Sequence, residues 1–462
     1  MASTNRSDER WRRPRRRLST SQRSNNGQLC TVWDPVGSSS ITTMVMARSS
    51  RAFSPTITEA FSETLLQPHS EAELSALVRD LHGSGRPWTP AGLGSRLHWG
   101  PPLQQAGPAV STRRFNRIID HAVDDLTITV EAGLPLADLQ NALAEHHQWL
   151  PVDWPWGTAR ELGSSAGTVG GLVARGLSGS LRQRHLGVRD QLIGIGLMRS
   201  DGVTAKAGGR VVKNVAGYDL MRLLCGSWGS LALITEVTLR VQPIRKARRL
   251  LLVRGEPSGL EPLRQAVIRG GFTPDWINWE TTPDQGCTLR LGVASISDAA
   301  VDAQLSQIEA LADDLRLKTE RQAWSHPLPA PIPQASDPAW LLRLSLPPAR
   351  GIDLLNDETF QRLQGWSCQL AAGTGSGDAW QAQGPATPTY AIAALRRQVV
   401  RLGGEVTVLT QPSEPDNKQA LDAWLDAPSR PLIEAVKRQF DPRLQLSRGR
   451  LPGVASWVVA SD

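Results

Sequence analysis

Hydrophobic periodicity begins near residue 56 and switches repeatedly between helical and strand spacing. Ser70 and Glu73 form a capping box, Leu74, Leu77, Val78 and Leu81 follow on one helical face, and Gly83 ends the run. The short segment "RPWTP" predicts a strand leading into "AGLGSRLHWG". In "LTITVEAG", Leu126, Ile128 and Val130 alternate with threonines, which predicts a strand. "PLADLQNALAEHH" opens on proline and places Leu136, Leu139 and Leu143 on one face, which predicts a helix. A glycine-rich stretch fills 157–187. "LIGIGLMRSDGVTAKAGG" then reads as two strands joined by a Ser-Asp-Gly turn. The segment ends in a long alternating strand, with Thr235, Val237, Leu239 and Val241 on one face and Glu236, Thr238 and Arg240 on the other.

The pattern changes after Pro243. "RKARRLLLVRG", "CTLRLGVAS", "AWLLRLSLP" and "GGEVTVLTQ" read as strands; "DAQLSQIEALADDLRL" and "TYAIAALRRQVVRLGG" read as helices. Residues 246–425 therefore form a separate α+β layer, with loops at 326–338 and 373–388. A last helix and tail begin within "LIEAVKRQFDPRLQLSRGRLPG", and no internal repeat is present.

The formal charge of +7 is local: residues 1–43 hold eight Arg against Asp8, Glu9 and Asp34, which gives +5 and leaves +2 for the rest of the chain. A solvated, disordered tail accounts for "WRRPRRRLST" better than a nucleic-acid surface does. The arginines precede no apolar stretch, which argues against a signal peptide. Met44 and Met46, just before the patterned region, leave an alternative start open; an intact mass beginning at Met1 would reject it. Cys30, Cys225, Cys287 and Cys368 are scattered, so no zinc or iron–sulfur cluster is expected, no metal site is proposed, and a reducing compartment is implied. No apolar run approaches a membrane span.

Three small-residue segments are the candidate chemistry. "PAGLGSR" (Pro90 to Arg96) follows a strand and offers backbone N–H groups, a hydroxyl and a guanidinium to an anion. It lacks the Gly-Lys-Ser/Thr of a P-loop, and Leu97 occupies the third glycine position of a Rossmann fingerprint; an ordinary turn fits it equally well. "ELGSSAGTVGGLVARGLSG" threads Val169, Leu172, Val173 and Leu177 between glycines, which implies a buried, ordered segment rather than a flexible loop; its amides and the hydroxyls of Ser164, Ser165 and Thr168 could wrap an extended ligand. In the third, Gly226 and Gly229 bracket Ser227-Trp228 before the long strand, near Lys213, Asn214, Tyr218 and Asp219. Turn chemistry and one ion pair from Asp219 to Lys213 or Arg222 account for these polar residues singly.

Taken in order, "PAGLGSR", "LPVDWPWGTA", "LVARGLSGSLRQRHLGVRDQLIGIGLMRSDG" and "KNVAGYDLMRLLCGS" resemble the FAD-binding domain of the vanillyl-alcohol oxidase/PCMH superfamily. Within it they are similar to the glycolate oxidase group, its E-subunit family above all. The likeness covers about 60–460 and is strong over 145–245. It implies an α+β chain: a disordered basic tail (1–50), a two-subdomain PCMH-type FAD-binding domain (51–245), an α+β cap domain (246–425), and a C-terminal helix and tail returning to the FAD domain (426–462). It also implies that Pro90, Ala91, Gly92, Leu93, Gly94, Ser95 and Arg96 hold the pyrophosphate of FAD. Thr168, Gly170, Gly171 and Gly179 would line the other side of the dinucleotide, and the backbone near Gly229, Ile234 and Glu236 would meet the buried cofactor. Some relatives attach FAD through a histidine in the first loop; here Leu93 and Ser95 flank Gly94 and His98 lies beyond, so non-covalent FAD is expected.

Two departures matter. The D subunit of the group carries Gly-His-x-Gly-Asp-Gly-Asn-x-His in its cap, whereas this chain has no histidine after His326 and places Glu405 in the cap strand. "FDP" survives as Phe440-Asp441-Pro442, but the usual Asn-Pro-Gly-Arg is Ser447-Arg-Gly-Arg450. Both favour an accessory FAD-binding subunit of a glycolate dehydrogenase/oxidase complex, with a catalytic flavin subunit and an iron–sulfur subunit as partners. A cytoplasmic location follows, peripheral to the inner membrane through the complex. The alternatives are a stand-alone FAD-dependent 2-hydroxyacid (D-lactate-type) dehydrogenase and a degenerate structural subunit without FAD. Arg290 and Arg343 are candidates for a substrate-carboxylate cation, with Lys213 and Tyr218 as further site candidates. Sixteen tryptophans against two tyrosines draw attention to Trp149, Trp154 and Trp156 at the entry to the second glycine segment, where core packing, flavin stacking and a partner surface all remain open.

Overall fold

The computed structural model describes residues 65–105, 107–153, 167–209, 219–324, 339–412 and 420–455. The tail, Ser164, Ser165, Lys213, Tyr218, Trp154, Trp156 and the 326–338 loop fall outside the described residues.

The capping box forms as its sequence requires. Ser70 Oγ accepts the Glu73 N–H at 3.2 Å, the Glu73 carboxylate accepts from the His69 backbone, and the helix Glu71–Gly83 buries Leu74, Val78 and Leu81. These side chains pack with Trp88, Val110 and Leu446. Beside them lies a small parallel sheet in the order Leu65–Leu66, Ala109–Ser111, Thr89–Ala91.

A five-stranded antiparallel sheet follows in the order Ile118–Ala122, Thr127–Glu131, Leu233–Arg240, Leu192–Met198, Thr204–Gly208. The long alternating strand is thus central, and Ile128, Val130, Val237 and Leu239 pack with Leu136, Leu139 and Leu143 of the helix Leu136–Glu145. Between helix and sheet, the second glycine segment is not extended throughout: Val169–Arg175 is a helix, started by the Thr168 side chain on the Gly171 N–H and stopped at left-handed Gly176. The helix Arg430–Phe440 brings Val436 and Phe440 back against the same core.

Among the described residues, the strands from Ala247 up to Thr410 join one eight-stranded antiparallel sheet. Its order is Lys318–Ala323, Ala247–Arg254, Gly286–Ser295, Trp276–Thr282, Trp366–Ala371, Ser376–Gln381, Leu341–Ser345, Glu405–Thr410. One face carries Ile277, Leu342, Leu344, Leu370 and Val408 into a core with the helices Pro257–Arg269, Asp298–Asp314 and Thr389–Arg401. The stretch 373–388, expected as a loop, contains the strand Ser376–Gln381. Its small residues are there for closeness: a Cβ on Gly377 would collide with the Gln369 carbonyl of the neighbouring strand. Pro55–Asp462 clusters as one compact unit, and among the described residues no helix is long and apolar enough to cross a membrane.

Candidate functional site

A large cleft lies between the five-stranded sheet and the free face of the eight-stranded sheet, with roughly 1690 Å³ of space out to open solvent. All three small-residue segments line it: Pro90 to Arg96, then Thr168, Gly170, Gly171 and Gly179, then Gly229 with Ile234. The strand Thr89–Ala91 ends at the cleft, and Ser111 Oγ donates to the Gly92 carbonyl at 2.6 Å, fixing the loop's first turn. Among the described residues, none of the backbone N–H groups of Gly92, Leu93, Gly94 or Ser95 has an acceptor. These four donors border the cleft and are available to an anion there.

The loop must be glycine where it meets the helix Val169–Arg175. A Cβ on Gly92 would strike the Thr168 hydroxyl, the same hydroxyl that caps the helix at 3.1 Å. The other wall is held by Asp153, whose carboxylate accepts from Gly179 N (2.7 Å), Ser180 Oγ (3.1 Å) and Leu181 N (3.2 Å). The turn before the central strand is anchored from the C-terminal segment. Lys437 Nζ donates to the Ser230 carbonyl at 2.7 Å, and Ser447 Oγ donates to the Gly229 carbonyl at 3.1 Å. The eroded C-terminal motif is therefore part of the scaffold under the cleft.

Charge at the nest is one-sided. Arg175 donates to the Arg96 carbonyl at 2.7 Å and lies over the Trp228 ring at 3.9 Å. Burial, with Arg450 and Arg96 adding repulsion, pushes the Arg175 guanidinium well below its usual range. Burial pushes Arg450, which donates to the Pro101 carbonyl at 2.7 Å, down to about 10. Arg96 and Arg175 line the cleft with these N–H groups, and Arg450 adds positive charge behind Arg175; a multiply charged anion would stabilise them, and the pyrophosphate of a dinucleotide is one. The residues present therefore fit FAD.

On the opposite side the cleft is floored by the eight-stranded sheet. Arg343 lines it and pairs with Asp378 at 3.2 Å. Arg290 does not line it: its guanidinium turns to Glu280 at 3.5 Å and lies over Trp276 at 5.7 Å. Glu236 is likewise absent from the lining, its carboxylate held by Lys206 at 2.7 Å. Asp219 pairs with Arg222 at 3.6 Å on the surface, and Trp149 packs edge-on against His185 in a buried cluster. Asp153, Arg175, Asn278, Gln369 and Asp378 line the cleft without having been singled out from the sequence. A hydrophobic alternation on both sides of Asn278 and Gln369 was the available signal; Asp153 carried none.

A family model described as "FAD binding domain" matches residues 62–208. Glycolate oxidase subunit GlcE of Escherichia coli (strain K12) is 32% identical over 256 residues, covering 55% of this chain and 67% of that protein. The mitochondrial cytochrome D-lactate dehydrogenase of Arabidopsis thaliana is 30% identical over 39% of this chain and 30% of that protein. Glycolate oxidase subunit GlcD of Bacillus subtilis (strain 168) is 28% identical over 42% of this chain and 40% of that protein. The chain thus spans two thirds of the first and less than half of the other two. Among solved structures, alkyldihydroxyacetonephosphate synthase shares the fold, with a TM-score of 0.58 at 15% identity, covering 84% of this chain and 77% of that one.

Proposed function

The chain belongs to the family of FAD-dependent oxidoreductases that includes glycolate oxidase subunit GlcE, and from that membership we propose that it is the FAD-binding subunit of a complex oxidising glycolate, or a close 2-hydroxy acid, to the 2-oxo acid. The cleft is the observation behind this reading. Open N–H groups of Gly92 to Ser95, with Arg96 and Arg175, would hold the pyrophosphate; the Gly167–Gly179 wall and the Gly229–Ile234 turn would hold the two ends. Bound FAD supplies a two-electron acceptor. No histidine lies in the Pro90–Arg96 loop, which supports non-covalent binding. In this reading residues 51–245 with 426–462 form the FAD domain and 246–425 the cap.

Relatives named as separate glycolate oxidase subunits support a multi-subunit assembly. We infer a catalytic flavin subunit and an iron–sulfur subunit as partners, with any membrane attachment made through them. The test is purification from the native cell and from recombinant co-expression, followed by flavin release, iron assay and dye reduction with glycolate and D-lactate. The reading predicts about one releasable FAD per chain and glycolate-dependent dye reduction only with partners present. A chain that carries no flavin overturns it; a chain that reduces dye alone with D-lactate replaces it with the stand-alone dehydrogenase.

A further inference from the structure

The free face of the eight-stranded sheet holds a polar row that its register creates. Glu280 pairs with Gln369, Gln369 with Asp378, Asp378 with Arg343, and Arg343 with Thr407, across five adjacent strands. Cross-strand partners share a face, so these five side chains form one line on the side away from the helices. The line is hydrogen-bonded: Gln369 Nε2 donates to Glu280 Oε1 at 3.1 Å, and Arg343 Nη1 donates to Asp378 Oδ1 at 3.2 Å. Gln369, Asp378 and Arg343 line the cleft together with Asn278, which is 2% exposed. The side chains of Arg343 and Asp378 are 13% and 19% exposed, so both charges sit out of bulk water yet face the cavity. One monodentate contact leaves a second carboxylate oxygen and further guanidinium N–H groups for another molecule.

We propose that this row is the substrate floor: Arg343 binds the carboxylate of a 2-hydroxy acid, Asp378 accepts the proton of its α-hydroxyl, and Gln369 and Asn278 orient it. The proposal rests on the FAD reading of the cleft. Carboxylate and α-hydroxyl are adjacent in such an acid, as the guanidinium and carboxylate are adjacent on neighbouring strands. Binding inserts the acid between the paired charges, so each keeps an opposite or hydrogen-bonding partner. The hydroxyl O–H bond breaks and an O–H bond forms at Asp378 Oδ. The α-carbon loses hydride, with its electron pair, to the two-electron acceptor that bound FAD supplies, and the alcohol becomes the 2-oxo acid. Burial pushes the Asp378 carboxyl up, Arg343 pulls it part of the way back, and Asp153 adds to the rise. A raised carboxyl is a better proton acceptor near neutrality.

The test uses the FAD-loaded chain without its partners, so that no partner flavin contributes to the signal, and two readouts. Oxalate, an unreactive mimic, is titrated while the flavin spectrum is followed; anaerobic flavin reduction by glycolate is then timed. Arg343→Met should weaken oxalate at least tenfold with FAD content unchanged. Asp378→Asn, isosteric, should keep oxalate within about threefold and slow reduction by about a hundredfold or more, the usual contribution of a general base. Gln369→Leu leaves the ion pair intact and should weaken oxalate at least threefold, so the idea stays testable even if either charge variant fails to fold. Wild-type affinity and rate in all three, or no oxalate response from FAD-loaded wild type, overturns the floor while leaving the cofactor reading standing. Failure to bind FAD at all sinks the cofactor reading instead.

Discussion

Lys437 and Asp441 give the sharpest test of how the C-terminal segment supports the cleft. The Lys437 side chain is 2% exposed and that of Asp441 0%, one helical turn apart, with Nζ 2.6 Å from Oδ2. The ammonium also donates to the carbonyls of Ser230 (2.7 Å) and Leu446 (2.9 Å), while Asp441 Oδ2 accepts the Leu446 N–H at 2.7 Å. Asp441→Asn leaves a buried cation with neutral acceptors only, and Lys437→Met leaves a buried carboxylate with one N–H. Removing one partner of a buried pair costs roughly 3–5 kcal/mol. The double variant buries no charge and loses mainly hydrogen bonds to two carbonyls, at about 1 kcal/mol each. It should therefore cost about 2–4 kcal/mol, against an additive sum of about 6–10 kcal/mol. Urea unfolding followed by tryptophan fluorescence measures all three, and flavin retention should fall in step because Ser230 sits next to Gly229 on the cleft wall. Burial lowers the Lys437 pKa, with Asp441 opposing. The folded state thus holds that proton less tightly than the unfolded chain. The penalty is complete below the lowered value and is relieved as pH rises from there toward the ordinary 10.5. Asp441→Asn removes the opposing charge, so its stability should climb more steeply than wild type across that alkaline window. Singles that cost under about 1 kcal/mol, or a double equal to their sum, would refute the buried-pair account.

Other consequences follow from the same geometry. Gly92→Ala forces the loop away from the Thr168 hydroxyl, so FAD affinity, read by fluorescence quenching on rebinding, should drop at least tenfold while the urea midpoint changes little; unchanged affinity would show that the loop can yield. Arg175→Gln removes a cation whose charged neighbours are Arg450 and Arg96; FAD should bind about ten- to a hundredfold more weakly, the scale of a charged hydrogen bond at 1.5–3 kcal/mol, and with a shallower salt dependence. An affinity within twofold of wild type would exclude Arg175 from the anion site. Burial pushes the Cys287 thiol up to about 12 and raises Cys368 as well; maleimide at pH 8 should label these two at least a hundredfold faster in urea than in the native protein, and prompt native labelling of either would contradict its burial.

Sequence and structure part company where a position's meaning depends on a distant strand. The helix Glu71–Gly83 and the Ser-Asp-Gly turn are written locally, in a cap, a 3.6-residue repeat and a glycine, and each forms where its residues require. The Val169–Arg175 helix also has local signals, Thr168 at its start and Gly176 at its end, but two interior glycines mask its periodicity. The strand Ser376–Gln381 has no local signal at all. Its conformation is imposed by Trp366–Ala371 on one side and Leu341–Ser345 on the other, and its glycine is dictated by a neighbouring carbonyl. Arg290 and Arg343 look equivalent along the chain, each alternating with leucines. Their different fates come from register: Arg343 falls opposite Asp378 over the cleft, whereas Arg290 falls opposite Asn278 and turns to Glu280. Asp378, read as part of a loop, becomes a half-buried carboxylate because the sheet carries it between Gln369 and Arg343, residues 9 and 35 positions away. The small-residue segments that meet at the cleft were legible because glycine is a statement about the backbone itself. The polar row opposite them was not, because it exists only as a line drawn across five strands.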